Sequence, residues 1–296
     1  FWPGRRGLGI HALSAIGIAL HDLAGKQLGV PVYKLMGGAR RDRLKPYCTI
    51  YPGLAQGRAI GELMSEIYQQ FDIALTAGFR AVKMEVLFYD LVTDLELIRL
   101  IGDGRRALGD GITMAVDFGY RWHNWHDALF VLERIADHNI FFAEATLQHD
   151  DLMGHARLAE RSSIRICGAE AAATRFEIRE WLTVGRVGVV QPNIGRGGGL
   201  TEIRRIADLC EILGAEVVPH GWKTGITSAA GRHFQAACPA SPVFEYVSPH
   251  VFDSPLRREL VSPEPAVVEG YMDLPAGPGL GIELNDELVA RWRADR

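Results

Sequence analysis

The chain has 296 residues, of which 48% are hydrophobic and 23% are charged, as is typical of a soluble globular protein. Its formal net charge of −4 gives no electrostatic reason to expect nucleic acid or an anionic membrane as a partner. No apolar run of about 18 residues is evident, so the sequence predicts no transmembrane span. The four cysteines lie far apart without a CxxC pair, which predicts reduced thiols and a cytoplasmic protein rather than a disulfide frame or a zinc site.

The chain begins with one apolar segment and ends with a segment rich in Pro and Gly. LGIHALSAIGIALHDLAG, residues 8–25, has apolar or small residues nearly all round, which predicts a buried helix. We interpret residues 1–40 as this entry helix and a linker, residues 41–260 as the main domain, and residues 261–296 as a C-terminal arm.

Within residues 41–260, short β-branched or apolar runs alternate with longer segments of helical period. The predicted strands are 47–51, 81–86, 113–117, 140–144, 164–168, 188–191, 216–219 and 243–247, and the predicted helices include 60–77, 91–108, 125–138, 177–183 and 200–213. This alternation favours an α/β fold, a parallel TIM-like barrel, over an open doubly wound sheet. The open sheet is the weaker alternative, because no GxGxxG follows the first strand and GRGGG at 195–199 comes too late.

Three successive predicted strands end in a lone carboxylate: Asp117, Glu144 and Glu170. They are 27 and 26 residues apart, which is one strand-and-helix unit per carboxylate. Each alone is more typical of a solvated loop acid. However, the C-terminal strand ends of a parallel barrel meet at one mouth, where three carboxylates repel one another unless a cation lies among them. All-oxygen ligands suit Mg²⁺, so the sequence predicts one Mg²⁺ per active site.

The strand-end residues follow a recognisable order along the chain: Lys83, Glu85, Asp117, Glu144, Glu170, Asn193, His220 and Glu245. Together with DLAGKQLGVPVYKLMGG at 22–38 and GYMDLPAGPGLGIELNDE at 270–287, this order resembles the enolase superfamily, specifically its mandelate racemase/muconate lactonizing enzyme subgroup. The resemblance implies a (β/α)7β barrel in which the three carboxylates bind Mg²⁺ and an enzyme that removes the proton α to a substrate carboxylate. It also implies an N-terminal α+β cap domain, here missing or truncated before Phe1. We expect the arm to pack on that cap, and a chain without the cap to be weakly active or inactive.

The resemblance also implies roles for individual residues. His220 matches the position of the general base or acid, although a lone His after a strand is as often structural. Glu245 matches the position whose protonated carboxyl hydrogen-bonds the substrate. Asn193 departs from the family pattern, in which an Asp pairs with the His, and an Asn cannot stabilise an imidazolium with a full charge. Lys83-Met84-Glu85 replaces Lys-x-Lys, so Glu85 shares a strand face with Lys83 and could pair with it, bind a substrate hydroxyl or act as a weaker base.

These departures make a two-base racemase less attractive and favour a one-base reaction, in which His220 takes the α-proton and a β-hydroxyl then leaves. We therefore predict an acid-sugar dehydratase that acts on a small-molecule sugar acid and forms a homo-oligomer. Trp122, Trp222 and Lys223 are predicted to contact the substrate, although aromatic packing at a helix start explains YRWHNW at 120–125 equally well. The alternatives are a racemase, epimerase or cycloisomerase, and a non-catalytic barrel that binds metal and ligand without turnover.

Overall fold

The chain enters the fold through one long helix. The computed structural model describes residues 6–293. Helix α1 covers Gly7–Leu28 and is followed by the short helix α2, Val32–Leu35, and the two-residue strand β1, Arg43–Leu44.

Helix α1 is only partly covered, which corrects the prediction of a buried helix. Its buried residues form one stripe, composed of Ile10, Ser14, Ile18 and Gly25. Leucines on its other faces are exposed, Leu8 to 85%. By length and composition α1 could cross a membrane, so the expectation that no segment qualifies is also corrected. A single helix of this kind near the N-terminus is nevertheless weak evidence for a membrane span.

A sheet of eight parallel strands follows the entry segment. Its strands are β2 Pro46–Ile50, β3 Ala81–Glu85, β4 Thr113–Asp117, β5 Ile140–Glu144, β6 Ile166–Gly168, β7 Val189–Val190, β8 Glu216–Val217 and β9 Phe244–Tyr246. They are hydrogen-bonded in the order β8-β7-β6-β5-β4-β3-β2-β9, so the first strand of the series lies beside the last. Each strand otherwise lies beside its neighbours in the sequence, which confirms the predicted barrel.

One helix connects each strand of this sheet to the next. These helices are α3 Ile60–Thr76, α4 Asp94–Leu108, α5 Trp125–Arg134, α6 Leu152–Arg161, α7 Thr174–Thr183, α8 Gly199–Leu213 and α9 Gly225–Ala237. The helix predicted over 125–138 is shorter than expected. It ends at Arg134, and a 3-10 turn covers Ala136–His138 before Asn139 adopts a left-handed φ of 48°. The alternation completes the (β/α)7β architecture.

The register between neighbouring strands brings acidic residues to the same level. Glu85, Asp117 and Glu144 end β3, β4 and β5, and they are Cα partners across the two ladders. Deeper in the barrel, inward side chains such as Tyr47 and Phe142 fill the interior. The barrel is therefore a packed core whose C-terminal mouth carries a row of carboxylates.

The barrel closes between β8 and β9, and we call this junction the β8–β9 seam. The two strands lie at the ends of the hydrogen-bonded order, and within the described residues no ladder joins them. A side chain connects them instead, because the Gly221 amide after β8 donates a hydrogen bond to the Glu245 carboxylate in β9. The backbones approach so closely that a Cβ at Gly221 would lie 3.0 Å from the Glu245 carbonyl oxygen.

The C-terminal arm packs back on the entry segment. The short helix α10, Pro255–Arg258, precedes the arm, which contains β10 Val261–Ser262, β11 Met272–Asp273, β12 Glu283–Leu284 and α11 Asp286–Trp292. Strand β11 pairs antiparallel with β1, and β10 pairs with β12. The Leu280 amide donates to Asp22 of α1 at 2.7 Å.

Candidate active site

Lys83 lies at the centre of the barrel mouth and is 1% exposed. Its Nζ is 2.9 Å from Glu144 Oε2, 3.1 Å from Glu245 Oε1 and 3.5 Å from Asp117 Oδ2. Burial alone would lower the pKa of Lys83, but the charges of Glu144 and Glu245 outweigh it and raise the pKa well above its usual value. Lys83 is therefore a fixed positive charge and is unsuited to accept a proton from a substrate.

Glu245 is the ionised partner of Lys83. Its Oε1 also accepts a hydrogen bond from the Thr49 hydroxyl at 2.6 Å, and its Oε2 accepts from the Gly221 amide. Burial alone would raise the pKa of Glu245, but the Lys83 charge and these hydrogen bonds bring it down to about 2. The expectation that Glu245 presents a protonated carboxyl to the substrate is corrected, because the carboxylate is charged and its oxygens are already bonded.

A cavity of about 360 Å³ opens at this mouth, and Glu85, Asp117 and Glu170 contribute to its lining. Glu144 lies beneath it, where its Oε2 accepts a hydrogen bond from Gln191 Nε2 at 2.7 Å. Burial raises the pKa values of Glu85, Asp117 and Glu144, and repulsion between neighbouring carboxylates adds to the effect. A cation at the mouth would therefore stabilise the ionised forms of these carboxylates.

The three predicted metal ligands differ in how they meet the cavity. Asp117 and Glu170 have 13% and 22% of their side-chain surface exposed, whereas Glu144 has 1% and contacts Lys83. Within residues 6–293, no three His, Cys, Asp or Glu side chains are already grouped around one point as metal ligands. The all-carboxylate donor set nevertheless fits Mg²⁺, which prefers oxygen ligands, and the crowded negative charge favours a cation. Glu144 would have to give up part of its contact with Lys83 to join that set.

His220 has a polar partner at each ring nitrogen. Asn193 Nδ2 is 2.6 Å from Nδ1, and Glu170 Oε2 is 2.8 Å from Nε2. The Gly195 amide donates to Asn193 Oδ1 at 2.9 Å, which orients the Asn193 side chain with its NH₂ group toward the imidazole. Because that NH₂ can only donate, Nδ1 accepts, and the neutral imidazole carries its proton on Nε2. His220 thus meets the cavity as a hydrogen-bond donor, and in this tautomer Nε2 cannot take up the α-proton, contrary to the role expected from the sequence.

Glu170 is held from both sides. The Tyr120 hydroxyl donates to its Oε1 at 2.9 Å, opposite the His220 contact at Oε2. Burial alone would raise the pKa of Glu170, but the hydrogen bond from His220, the charge of Lys83 and the hydrogen bond from Tyr120 outweigh it and lower the pKa below its usual value. Glu170 therefore presents a charged carboxylate at the edge of the cavity.

Of the predicted substrate-binding residues, Trp222 lines this cavity, with its ring centroid 5.6 Å from that of Tyr51. Lys223 lines an adjacent groove along α1 instead. The prediction for Trp122 is corrected. Trp122 is 5% exposed, and its indole N–H donates to Asp94 at 3.0 Å, so it packs behind the site.

Four polar side chains that were not among the predicted site residues also line the cavity: Tyr51, Tyr89, Tyr120 and Arg196. Tyr51 is the last residue of a predicted strand, so its position at the mouth could have been found from the strand-end rule. Arg196 lies in GRGGG, on the loop between β7 and α8, and such loops build the active-site face of a barrel. A charged side chain on such a loop was the feature of the sequence that could have identified Arg196 as a site residue.

Two sequence models decide the family. The model for "Enolase C-terminal domain-like" proteins matches residues 66–288, which is more than half of the chain. The model for the N-terminal domain of mandelate racemase/muconate lactonizing enzyme matches residues 6–37, which include α1. The chain belongs to the mandelate racemase/muconate lactonizing enzyme group of the enolase superfamily. The resemblance drawn from the strand-end residues is confirmed.

Curated relatives include two enzymes of this group. The chain is 30% identical to D-galactarolactone cycloisomerase of Agrobacterium fabrum, over 98% of this chain and 76% of the relative. It is 28% identical to arabinonate dehydratase of Saccharolobus solfataricus, over 98% and 74%. The chain is accordingly an enzyme of the hydro-lyase or isomerase type.

Solved structures share the fold closely. One, described as a candidate racemase, is 46% identical and superposes with a TM-score of 0.94, over 98% of this chain and 76% of that one. A racemase from Streptomyces coelicolor A3(2) with bound magnesium is 26% identical, with a TM-score of 0.83 over 98% and 74%. The group therefore includes a member with magnesium bound.

Proposed function

We propose that this enzyme removes the proton α to the carboxylate of a sugar acid in a Mg²⁺-dependent reaction and then eliminates the β-hydroxyl as water. The observation that carries the proposal is the row of carboxylates at one barrel mouth, with Glu85, Asp117 and Glu144 in register and Glu170 in the turn that follows the next strand, β6. The relatives named as sugar-acid dehydratases support the substrate class.

Asp117, Glu144 and Glu170 are the residues that would hold the cation. A divalent cation there supplies positive charge beside the substrate carboxylate, where negative charge increases as the α-proton leaves. Lys83 adds a second, permanent charge beneath the same carboxylates, 2.9 Å from Glu144. Because Lys83 is buried, water does not reach its ammonium group, and its charge is only weakly screened.

We assign the removal of the α-proton to Glu85. Glu85 lines the cavity, and the ion pairs of Lys83 are made with Asp117, Glu144 and Glu245, so the Glu85 carboxylate is open to substrate. The electron pair of the broken C–H bond forms the new double bond, the β-carbon–oxygen bond breaks, and Glu85 returns its proton to the departing hydroxyl to give water. The resulting enol becomes the 2-keto-3-deoxy acid. His220 keeps its own proton, and its Nε2–H holds Glu170 in place at 2.8 Å at the edge of the cavity.

Cycloisomerisation is the second candidate, because a relative 30% identical to the chain is a D-galactarolactone cycloisomerase. The two reactions differ in mass balance. Dehydration yields a keto acid lighter than the substrate by one water, whereas a cycloisomerase product has the mass of its substrate. Racemisation would produce exchange at the α-carbon without either product.

The test incubates the enzyme and Mg²⁺ with a panel of sugar acids in deuterated water. Keto acids are detected with semicarbazide, and substrate and product masses are recorded. The proposal expects a keto acid lighter by one water, which chelation of the metal with EDTA abolishes. A product of unchanged mass, or α-deuteration without keto acid across the panel, would refute dehydration.

Two variants separate the residue roles from the reaction itself. Glu85→Gln is expected to abolish both α-deuteration and keto-acid formation, whereas His220→Gln retains α-deuteration and slows elimination. Glu66→Gln removes one carboxylate of a solvent-exposed ion pair and serves as the matched control with unchanged turnover. Loss of α-deuteration in His220→Gln with its retention in Glu85→Gln would reverse the assigned roles while leaving the reaction intact.

A further inference from the structure

Charge in the active-site cavity is divided between two sides. Arg196 lies on the loop after β7, and Glu85 ends β3, four strands away in either direction around the barrel. Asp117 ends β4 and Glu170 follows β6, so these two carboxylates, which also line the cavity, lie on the arc between them. The arc from β3 to β7 is thus acidic at the Glu85 end and along its length, and it carries the Arg196 guanidinium at its other end.

Arg196 is not neutralised by a carboxylate. Within residues 6–293 no ion pair is formed by its side chain, and its Nε is shielded from solvent without a hydrogen-bond acceptor. Buried donors of a charged group are normally paired, so an unpaired one indicates a partner from outside the chain. Glu170, which lines the same cavity, is already engaged by His220 and Tyr120.

A second cation, Lys223, lies in the adjacent groove, next to the loop that carries Arg196. The Lys223 stem lies over Gly195, where a Cβ would be 3.2 Å from Lys223 Cδ. Lys223 therefore packs on the residue that precedes Arg196, and both partial burial and the charge of Arg196 lower the pKa of Lys223. Lys223, like Arg196, forms no ion pair with a carboxylate in the described part of the chain, and two neighbouring like charges favour an anion beside them.

The loop geometry favours a carboxylate over a phosphate. Phosphate sites commonly use the free amides at a helix N-terminus. Here the Gly198 amide, just before α8, donates to the Ser14 hydroxyl of α1 at 3.0 Å and is not available. A single guanidinium fork matches a planar carboxylate in a bidentate arrangement.

We infer that Arg196 binds a second, terminal carboxylate of the substrate, so that the preferred substrates are dicarboxylic sugar acids rather than monocarboxylic ones. The inference rests on the proposed function, because the first carboxylate is the one beside the predicted cation. A monocarboxylic acid would place a neutral hydroxymethyl group at Arg196 and leave the guanidinium unpaired. Arg196 is then the residue that selects between the two substrate classes.

The test measures binding by calorimetry in the presence of Mg²⁺, using pairs of acids that differ only at the terminal carbon: gluconate against glucarate, and galactonate against galactarate. We expect the wild-type enzyme to bind at least one dicarboxylate about tenfold or more tightly than its monocarboxylic counterpart, as one charge-assisted bidentate contact provides. Arg196→Met should remove this preference and leave the affinity for the monocarboxylate unchanged. Arg196→Lys, which keeps the charge and loses the fork, should retain part of it.

The outcomes separate the inference from the proposed function. If both classes bind with equal affinity, or if Arg196→Met weakens both equally, the inference is overturned and the proposed function stands. If no acid of either class binds with Mg²⁺, both are overturned. A third ligand, 6-phosphogluconate, completes the set. If this ligand binds more tightly than glucarate, and Arg196→Met removes the difference, the site binds a terminal phosphate and the inference of a dicarboxylic substrate is overturned.

Discussion

Replacement of Lys83 by Met tests whether the buried ammonium holds the barrel mouth together. Lys83 is 1% exposed and lies 2.9 Å from Glu144, 3.1 Å from Glu245 and 3.5 Å from Asp117. Met fills a similar volume without charge, so the variant leaves buried carboxylates with no cation. Breaking a buried ion pair on one side costs about 3–5 kcal/mol. With an unfolding entropy of about 2.1 cal/mol/K per residue over this chain, that loss lowers Tm by about 5–8 °C.

The pH dependence of this destabilisation has a definite sign. Lys83 holds the pKa of Glu245 at about 2 in the wild-type enzyme, and its removal lets burial raise that pKa above the unfolded value. The folded variant then binds a proton that the unfolded chain has released, so its stability falls as the pH rises through the range between the two pKa values. The difference in stability between wild type and variant should therefore be smaller near about pH 5 than near about pH 8.

The assay is thermal and urea unfolding of both proteins, followed by circular dichroism across that pH range. Lys26→Met is the matched control, because Lys26 pairs with Asp22 at 3.0 Å while its side chain is 41% exposed. Such a pair is worth less than about 1 kcal/mol and should show no comparable pH slope. A Lys83→Met protein that unfolds at the wild-type temperature, or whose deficit is constant with pH, would contradict the reasoning.

The remaining predictions concern the metal, the imidazole and the packing behind the site. Glu170→Gln should weaken Mg²⁺ binding at least about tenfold by calorimetry, whereas Glu66→Gln should leave it unchanged, and equal affinities would remove Glu170 from the ligand set. Asn193→Asp should move the proton of the neutral His220 imidazole from Nε2 to Nδ1, because a carboxylate accepts a hydrogen bond where the amide donates one. An unchanged tautomer in ¹⁵N NMR spectra of the imidazole would contradict this account. Trp122→Phe loses one indole hydrogen bond and should lower the free energy of unfolding by about 1 kcal/mol without altering KM. A changed KM would indicate that Trp122 contacts the substrate.

The barrel and its mouth could be predicted because both depend on patterns local to each strand. Strand-end carboxylates recur once per strand-and-helix unit, and parallel strands bring their ends together, so Asp117, Glu144 and Glu170 were found from spacing alone. The ladders between β3, β4 and β5 then place Glu85, Asp117 and Glu144 in register. No contact between distant residues was needed for these conclusions.

The partners of individual side chains could not be predicted in the same way. Lys83 and Glu245 meet because β3 and β9 both flank β2, an adjacency that exists only once the barrel is closed. The direction of Trp122 depends on the backbone before it, where Tyr120 adopts a left-handed φ of 62°. Alternating patterns carry no information about such a turn.

Helix α1 shows a further limit. Its composition indicates burial, yet within residues 6–293 only one stripe is covered and Leu8 is 85% exposed. Hydrophobicity reports that a surface avoids water and does not report which element covers it.

The β8–β9 seam restricts how the specificity of this enzyme can be changed. Glu245 neutralises Lys83 and also receives the amide that joins the two end strands, so altering the electrostatics of the mouth at this residue loosens the closure of the cylinder. Tyr51, Trp222 and Arg196 line the cavity without taking part in that joint. Libraries for new acids should randomise these three positions and keep Lys83, Glu245 and Gly221 constant, since substitutions there would destabilise the barrel mouth and its closure.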